Sequence, residues 1–173
     1  MSDAKDCPFT ILIDKQEKKP FTFEAIKGDS RQQYKLLNIP TESAHLGAGM
    51  GDYSIKGYEG RIHIERKSCD DFIGTLLGYG VRWNRFEREL ANLEQMEEAA
   101  VVVECSLEHA LDECFETAHR SVDSNRKTVF RKYLALSHDY RVPWHFLPSR
   151  QHAEKTTFLI LQRWWRWIQK QEA

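Results

Sequence analysis

Residues 51–72 read GDYSIKGYEGRIHIERKSCDDF, and the fold turns on how they alternate. Positions 52–56 and 61–67 alternate polar and apolar side chains on either side of Gly57-Tyr58-Glu59-Gly60, which predicts a β-hairpin. If the loop joins Lys56 directly to Arg61, pairing carried outward sets Asp52 opposite Glu65. Directly opposed side chains share a face, with Cβ atoms about 4.5–5.5 Å apart. The period of two adds Lys67 to that face. His63 falls there too and is expected to be a bystander. The reverse face holds Tyr53, Ile55, Ile62 and Ile64, with Arg66 near its end, and is expected to pack inward. A one-residue slip in register would reverse the faces.

Two facing carboxylates are destabilising unless a cation or proton intervenes. Hard divalent cations such as Mg²⁺ prefer carboxylate and carbonyl oxygens, so they fit this gap. An ion there lowers the pKa of a bound water and polarises a phosphodiester oxygen. Lys67 is suited to orient or help deprotonate that water, and to offset charge building on pentavalent phosphorus. The plainer alternative is an amphipathic hairpin whose Glu65 and Lys67 form a solvated salt bridge, worth under about 1 kcal/mol.

Outward from the hairpin the chain reads as alternating strands and helices. Thr10 to Asp14 (TILID) suits a buried strand ending in an acid, and residues 42–46 another strand. Ser68, three residues before Asp71, predicts a capped helix over Asp70 to Leu77, ended by Gly78 and Gly80. A second helix is predicted over 83–98, with Trp83, Phe86, Leu90, Leu93 and Met96 on one face. Ala99 to Glu104 (AAVVVE) has the apolar run of a central strand covered on both sides. Helices are expected near 106–114 and 124–138, the second capped by Ser124, then a strand over 141–146 and a long helix over 151–170. This order indicates an α/β domain.

At 173 residues, 41% hydrophobic and 29% charged, the chain fits one domain with a single core, over 9–173 after a tail of 1–8. A formal net charge of −1 requires that any nucleic acid be held by a local basic patch. MSDAKDC carries no signal-peptide core, and no apolar run approaches the roughly 20 residues that cross a bilayer. Cys7, Cys69, Cys105 and Cys114 are scattered, as expected of reduced thiols. An intracellular protein without a membrane partner is expected, cytoplasmic in a bacterium or phage-infected cell and nuclear in a eukaryote.

The run GDYSIKG…IERKS-x-D-D-F resembles the signature of XPF-type structure-specific endonucleases, in which a Gly-Asp-Tyr strand precedes Glu-Arg-Lys-Ser, an acid and an apolar helix. ILIDKQEKKPFTF is similar to that family's apolar strand ending in Asp, with Glu three residues later. FERELANL, AAVVVE and SNRKTVFRKYLAL resemble the helices and central strand of bacterial and phage members. The likeness runs in order over roughly residues 9–165. It implies a restriction-endonuclease-like core, a central mixed sheet flanked by helices, and metal-dependent hydrolysis of DNA. Cutting near a branch, flap or junction, with 5′-phosphate and 3′-hydroxyl products, is implied as well, in repair or recombination.

The same resemblance implies that Asp14, Glu17, Asp52 and Glu65 supply metal-binding carboxylates. It further implies that the backbone carbonyl of Arg66 faces the ion and that Lys67 is the catalytic lysine, with Mg²⁺ expected and Mn²⁺ as a substitute. The chain departs from the family at Gln16, where Arg is common. It departs again at GYGVRWNRFE, where Gly-Arg is usual and Arg82 or Arg85 is left to play that part. No helix-hairpin-helix module is visible, so the grip on DNA is expected from a partner protein, a second copy in a homodimer, or the chain's own surface.

Arg66, Arg82, Arg85 and Arg126 are the candidate DNA contacts. Arg126 belongs to a cluster with Arg120, Lys127, Arg131 and Lys132 that is equally readable as a solvated helix face. In LQRWWRWIQK, Trp164, Trp165 and Ile168 share a helical face and are expected in the core, the alternative being base stacking or partner docking. Two competing readings are another nuclease of the same core, such as a junction resolvase, and a non-catalytic scaffold that binds DNA or a partner. The presence together of Asp52, Glu65 and Lys67 speaks against the scaffold. A third is a binding module whose hairpin charges only decorate the surface.

Overall fold

A computed structural model of the chain describes residues 6–28, 36–78 and 80–173. The first five residues of the expected tail, and Tyr79 of GYGVRWNRFE, lie outside these. Six strands are formed by β1 (Ile11–Asp14), β2 (Thr41–Ala44), β3 (Tyr53–Ile55), β4 (Ile62–Lys67), β5 (Glu98–Val103) and β6 (Trp144–Phe146). They make one sheet in the order β2-β1-β3-β4-β5-β6. β3 is antiparallel to both β1 and β4, and the other neighbours are parallel, so the sheet is mixed. The helices are α1 (Cys69–Leu77), α2 (Val81–Leu93), α3 (Leu107–Asp112), α4 (Val122–Asp139) and α5 (Arg150–Gln171).

The alternation in the hairpin sorts its side chains into two layers. Ile11, Tyr53, Ile55, Ile62 and Ile64 join Ala100 and Val102 in a core closed by Phe158, Leu161, Trp164 and Ile168 of α5. On the other face Val101 and Val103 pack with Phe72 and Leu76 of α1, Phe86, Leu90 and Leu93 of α2, and Val129 of α4. β5 is therefore covered on both sides, as its unbroken apolar run predicts. Trp164 is buried edge-on to Tyr58 at 5.2 Å, and Trp165 tilts onto Phe9 at 5.7 Å, so the tryptophan-rich helix builds core. Trp167 alone of the three is half exposed. Among the described residues no helix is long and apolar enough to cross a membrane.

The hairpin register is the one the sequence predicts. Tyr53 pairs with Ile64, so one step outward sets Asp52 opposite Glu65. β1 extends the row: Ile13 pairs with Tyr53, and the Asp14 N–H donates to the Asp52 carbonyl at 2.8 Å, which sets Asp14 beside Asp52. Ser68 caps α1, accepting the Asp71 N–H at 3.1 Å while its hydroxyl donates to the Asp71 carboxylate at 2.7 Å.

Several element ends shift by a few residues from expectation, β6 for instance being confined to Trp144–Phe146, and two of the shifts have a clear cause. α4 starts a turn early because Ser121, not Ser124, is the cap, its side chain accepting the Ser124 N–H. α2 stops at Leu93 rather than near 98, because the chain must turn to enter β5, where the Glu98 N–H donates to the Arg61 carbonyl at 3.1 Å.

Gly51, next to Asp52, lies against the backbone of β4. A Cβ there would stand 2.8 Å from both the carbonyl carbon and oxygen of Ile64. Those atoms belong to the central sheet and have little room to give. Gly51→Ala is expected to cost about 1–3 kcal/mol, read as a lower urea midpoint at unchanged slope.

Candidate active site

The acids lie at one end of the sheet face that carries α1 and α2. Asp52 uses its carbonyl toward β1, so Asp52 and Glu65 form a non-hydrogen-bonded cross-strand pair, the kind that brings side chains closest. The Asp52 carboxylate then reaches past Glu65 and accepts the Arg66 N–H at 2.8 Å. Lys67, two residues beyond Glu65, donates from Nζ to Glu65 Oε1 at 2.9 Å. The same ammonium sits 4.1 Å from the centroid of the Phe86 ring, brought over it by α2.

These groups line a cleft of about 490 Å³. Asp14, Glu17, Asp52, Glu65, Arg66 and Lys67 come from the sheet and the β1 loop, Arg82, Arg85, Phe86 and Glu89 from α2, and Gly47, Gly49 and Met50 from the segment before β3. That segment is tied down at two points. The Leu46 N–H donates to Asp14 Oδ2 at 2.8 Å, and the Asn92 side chain donates to the Gly49 carbonyl at 3.0 Å. Asp14 Oδ1 accepts the Gln16 N–H at 2.7 Å, so both of its oxygens hold backbone.

The predicted residues separate by what they touch. Arg82 and Arg85 are exposed at the cleft, with Arg82 laid over Gly74 of α1 and Gly78, which caps that helix, where a Cβ would crowd it. The Arg66 guanidinium points away from Lys67 into a buried network. It grips Glu104 through Nε at 2.7 Å and Nη2 at 3.0 Å, and Glu17 through Nη1 at 3.2 Å. Arg126 stands apart from the cleft on α4, bonded to the Leu111 carbonyl at 2.8 Å and to Asp112. His63 is fully buried, its Nε2 2.6 Å from the Glu59 carbonyl, and serves the hairpin.

Two functional neighbours escape a sequence reading. Glu104 braces Arg66 and is itself held by Arg150 at 2.6 Å. Glu89 is buried on α2 and lines the same cleft as Glu65. Its only signal in the sequence is an acid inside the apolar stripe of Phe86, Leu90 and Leu93.

The electrostatics describe a centre short of positive charge. Burial, then the nearby charge of Glu65, push the Asp52 carboxyl well above the usual carboxylate range, against the Arg66 N–H. Glu89 is pushed up to about 9 by burial and then by Glu65. Burial alone would lower Lys67, but Glu65 and Glu89 hold it above its ordinary value, so it is a cation. Glu65 Oε2 is buried and receives no donor.

An orphaned carboxylate oxygen beside a second carboxylate is the donor set a hard divalent ion takes. Among the described residues no three acidic, histidine or cysteine side chains form a ready-made cage.

Comparison with known proteins identifies the family. A family model for the ERCC4 domain matches residues 24–159. Among solved structures, the chain is similar to XPF from Aeropyrum pernix in complex with DNA, with a TM-score of 0.55 at 19% sequence identity. That match covers 90% of this chain and 64% of the relative, so the chain spans less than two thirds of its length. No individual curated protein sequence matches. With the family model covering the hairpin, its Glu-Arg-Lys run and the helices that face it, the chain belongs to the ERCC4 domain family.

Proposed function

We propose that the chain is a metal-dependent DNA endonuclease that hydrolyses phosphodiester bonds at branched, flap or junction DNA. The observation that carries this reading is the cross-strand pair of Asp52 and Glu65 with Lys67 beside it, open to a cleft also lined by Arg82 and Arg85. Arginines and acids lining one cleft suit a substrate that is itself an anion but reacts at a site needing a cation.

Asp52 and Glu65 would hold the ion, Mg²⁺ with Mn²⁺ as substitute. The Arg66 carbonyl would supply a neutral third oxygen, because it leaves the same edge of β4 as the N–H that Asp52 engages. Asp14 and Glu17, whose oxygens are partly committed to Gln16, Leu46 and Arg66, are the outer members of the set. When bound, the ion supplies Lewis acidity at the phosphoryl oxygen and a more acidic water.

Lys67 does the rest from the protein side. Its ammonium is fixed by Glu65 and Phe86, and from there it would orient the attacking water and offset charge on phosphorus. Arg82 and Arg85 position the DNA backbone, whereas the committed guanidinium of Arg66 makes it a brace for the motif. The chain acts inside the cell, with a homodimer mate or a partner protein supplying a further DNA-binding module.

Lys67→Ala and Asp52→Asn are each expected to lower single-turnover cleavage of a branched duplex in Mg²⁺ by at least about 10²-fold, leaving the circular dichroism spectrum and DNA affinity near wild type. Cleavage by either variant at the wild-type rate would remove the mechanism. A second expectation concerns grip. Replacing Arg82 and Arg85 by Ala together should weaken DNA binding across sequences and make the log–log salt slope shallower by about 1–2. Arg126→Ala, away from the cleft, should change the slope less. Filter binding between low and moderate salt separates these outcomes.

A further inference from the structure

α5 sorts its charges by side. Glu154 and the C-cap Glu172 lean on the body of the domain, where Glu154 accepts the Phe23 N–H at 2.6 Å and Glu172 takes the Arg61 guanidinium at 2.8 Å. Lys155, Arg163, Arg166 and Lys170 point the other way and are all exposed. At 3.6 residues per turn they fall within about 120° of one another, with Leu159 and Trp167 in the same sector. The stripe they make runs about 22 Å along the helix. Trp167 on it is 49% exposed. Among the described residues none of the four cations forms an ion pair, although Glu98 at the start of β5 feels the charge of Arg163.

A helix face that only meets water has no need of this pattern. Like charges four residues apart, as at Arg166 and Lys170, repel, and an acid in place of either would stabilise the helix instead. Trp167 leaves apolar surface in water beside a core that already takes Trp164. An anion relieves the first fault and a flat apolar group relieves the second. An unpaired nucleic-acid strand brings both, as phosphates and open base faces. A lipid surface fits less well. An interfacial helix buries its apolar face in lipid, and the apolar face of α5 is already packed against the sheet.

The stripe starts close to the cleft. Arg150, in the first turn of α5, donates to the carbonyls of Lys19 at 2.7 Å and Pro20 at 2.8 Å, next to Lys18, which lines the cleft. From there α5 runs along the face of the sheet opposite α1 and α2. A strand leaving the cleft past this loop meets Lys155 first and Trp167 about three turns later.

We propose that this outer face of α5 binds an unpaired nucleic-acid strand, with a base stacked on Trp167 and the phosphates held by Arg163, Arg166 and Lys170. A chain of net charge −1 needs a local basic patch to hold such a polyanion, and α5 supplies one apart from the cleft. Only the identity of the strand, as an arm of the branched substrate, rests on the nuclease reading.

The test is binding without cleavage. A labelled oligothymidylate of about 20 nucleotides and a duplex of equal length are titrated with the whole chain in chelator across a salt series, read by fluorescence anisotropy. Replacing Arg163, Arg166 and Lys170 by Gln together should weaken strand binding by about tenfold or more and make the log–log salt slope shallower by about 2. Trp167→Ala should weaken it by about fivefold or more at unchanged slope, since stacking releases no counterions. Trp167→Phe, which keeps a ring, should stay within about threefold of wild type. Duplex binding should fall less in each variant.

No strand binding by wild type would overturn the proposal, as would wild-type affinity in either the triple variant or Trp167→Ala. Equal losses for strand and duplex, or a Phe variant no better than Ala, would overturn it too. Phosphatidylserine vesicles that bind wild type more tightly than the strand, through the same residues, would make this face a membrane contact instead. Wild type that binds the strand in this way but cuts no branched duplex in Mg²⁺ would sink the nuclease reading and leave the α5 site standing. Cleavage by wild type, with undiminished strand binding in the variants, would do the reverse.

Discussion

Asp52 and Glu65 face each other across two antiparallel strands at the closest lateral approach a sheet allows, and both are acids. Much of the surrounding structure is an answer to that repulsion. The Arg66 N–H leaves the ladder to serve Asp52, and Lys67 leans on Glu65. Neither is sufficient, as the raised Asp52 and the orphaned Glu65 oxygen record. The tension is tolerated because the opposite face of the same strands is locked. Tyr53, Ile55, Ile62 and Ile64 are fully buried against α5, so the hairpin cannot splay to separate its charges.

The Glu-Arg-Lys run divides its charges between two places. Glu65 and Lys67 face the cleft, while Arg66 turns into a network of Glu17, Glu104 and Arg150 beneath the Phe21 ring. A buried pair of this kind contributes little net stability, yet removing one partner costs about 3–5 kcal/mol because the other charge is left uncompensated. Arg66 thus fixes the end of β4, the end that carries the lysine. It also ties the loop after β1 to the end of β5, so the cleft floor is braced from three elements.

How much of this was legible depends on the range of the interaction. The hairpin register could be read because a short loop and a period of two leave one natural pairing, and the Ser68 cap because it is local. The placement of Asp14 beside Asp52 could not, since β1 pairs with a strand that follows it only after β2 has been laid on its other edge. Helix ends moved where a neighbouring strand dictated the exit, as at Leu93. Glu89 shows in the sequence only as an acid inside an apolar stripe, and its place at the cleft comes from tertiary packing. Basic residues on α2 and α4 look alike in sequence, and only the fold shows that Arg82 and Arg85 reach the cleft while Arg126 does not.

The acids of the centre come from β1, β3, β4 and α2, segments that meet only through long-range strand pairing and helix docking. A chain still emerging from the ribosome, or one nicked between Asp14 and Glu89 and pulled apart, holds at most a scattered part of the set. Under the function proposed, hazardous chemistry is therefore switched on by the last steps of folding, and debris from proteolysis is harmless to the genome.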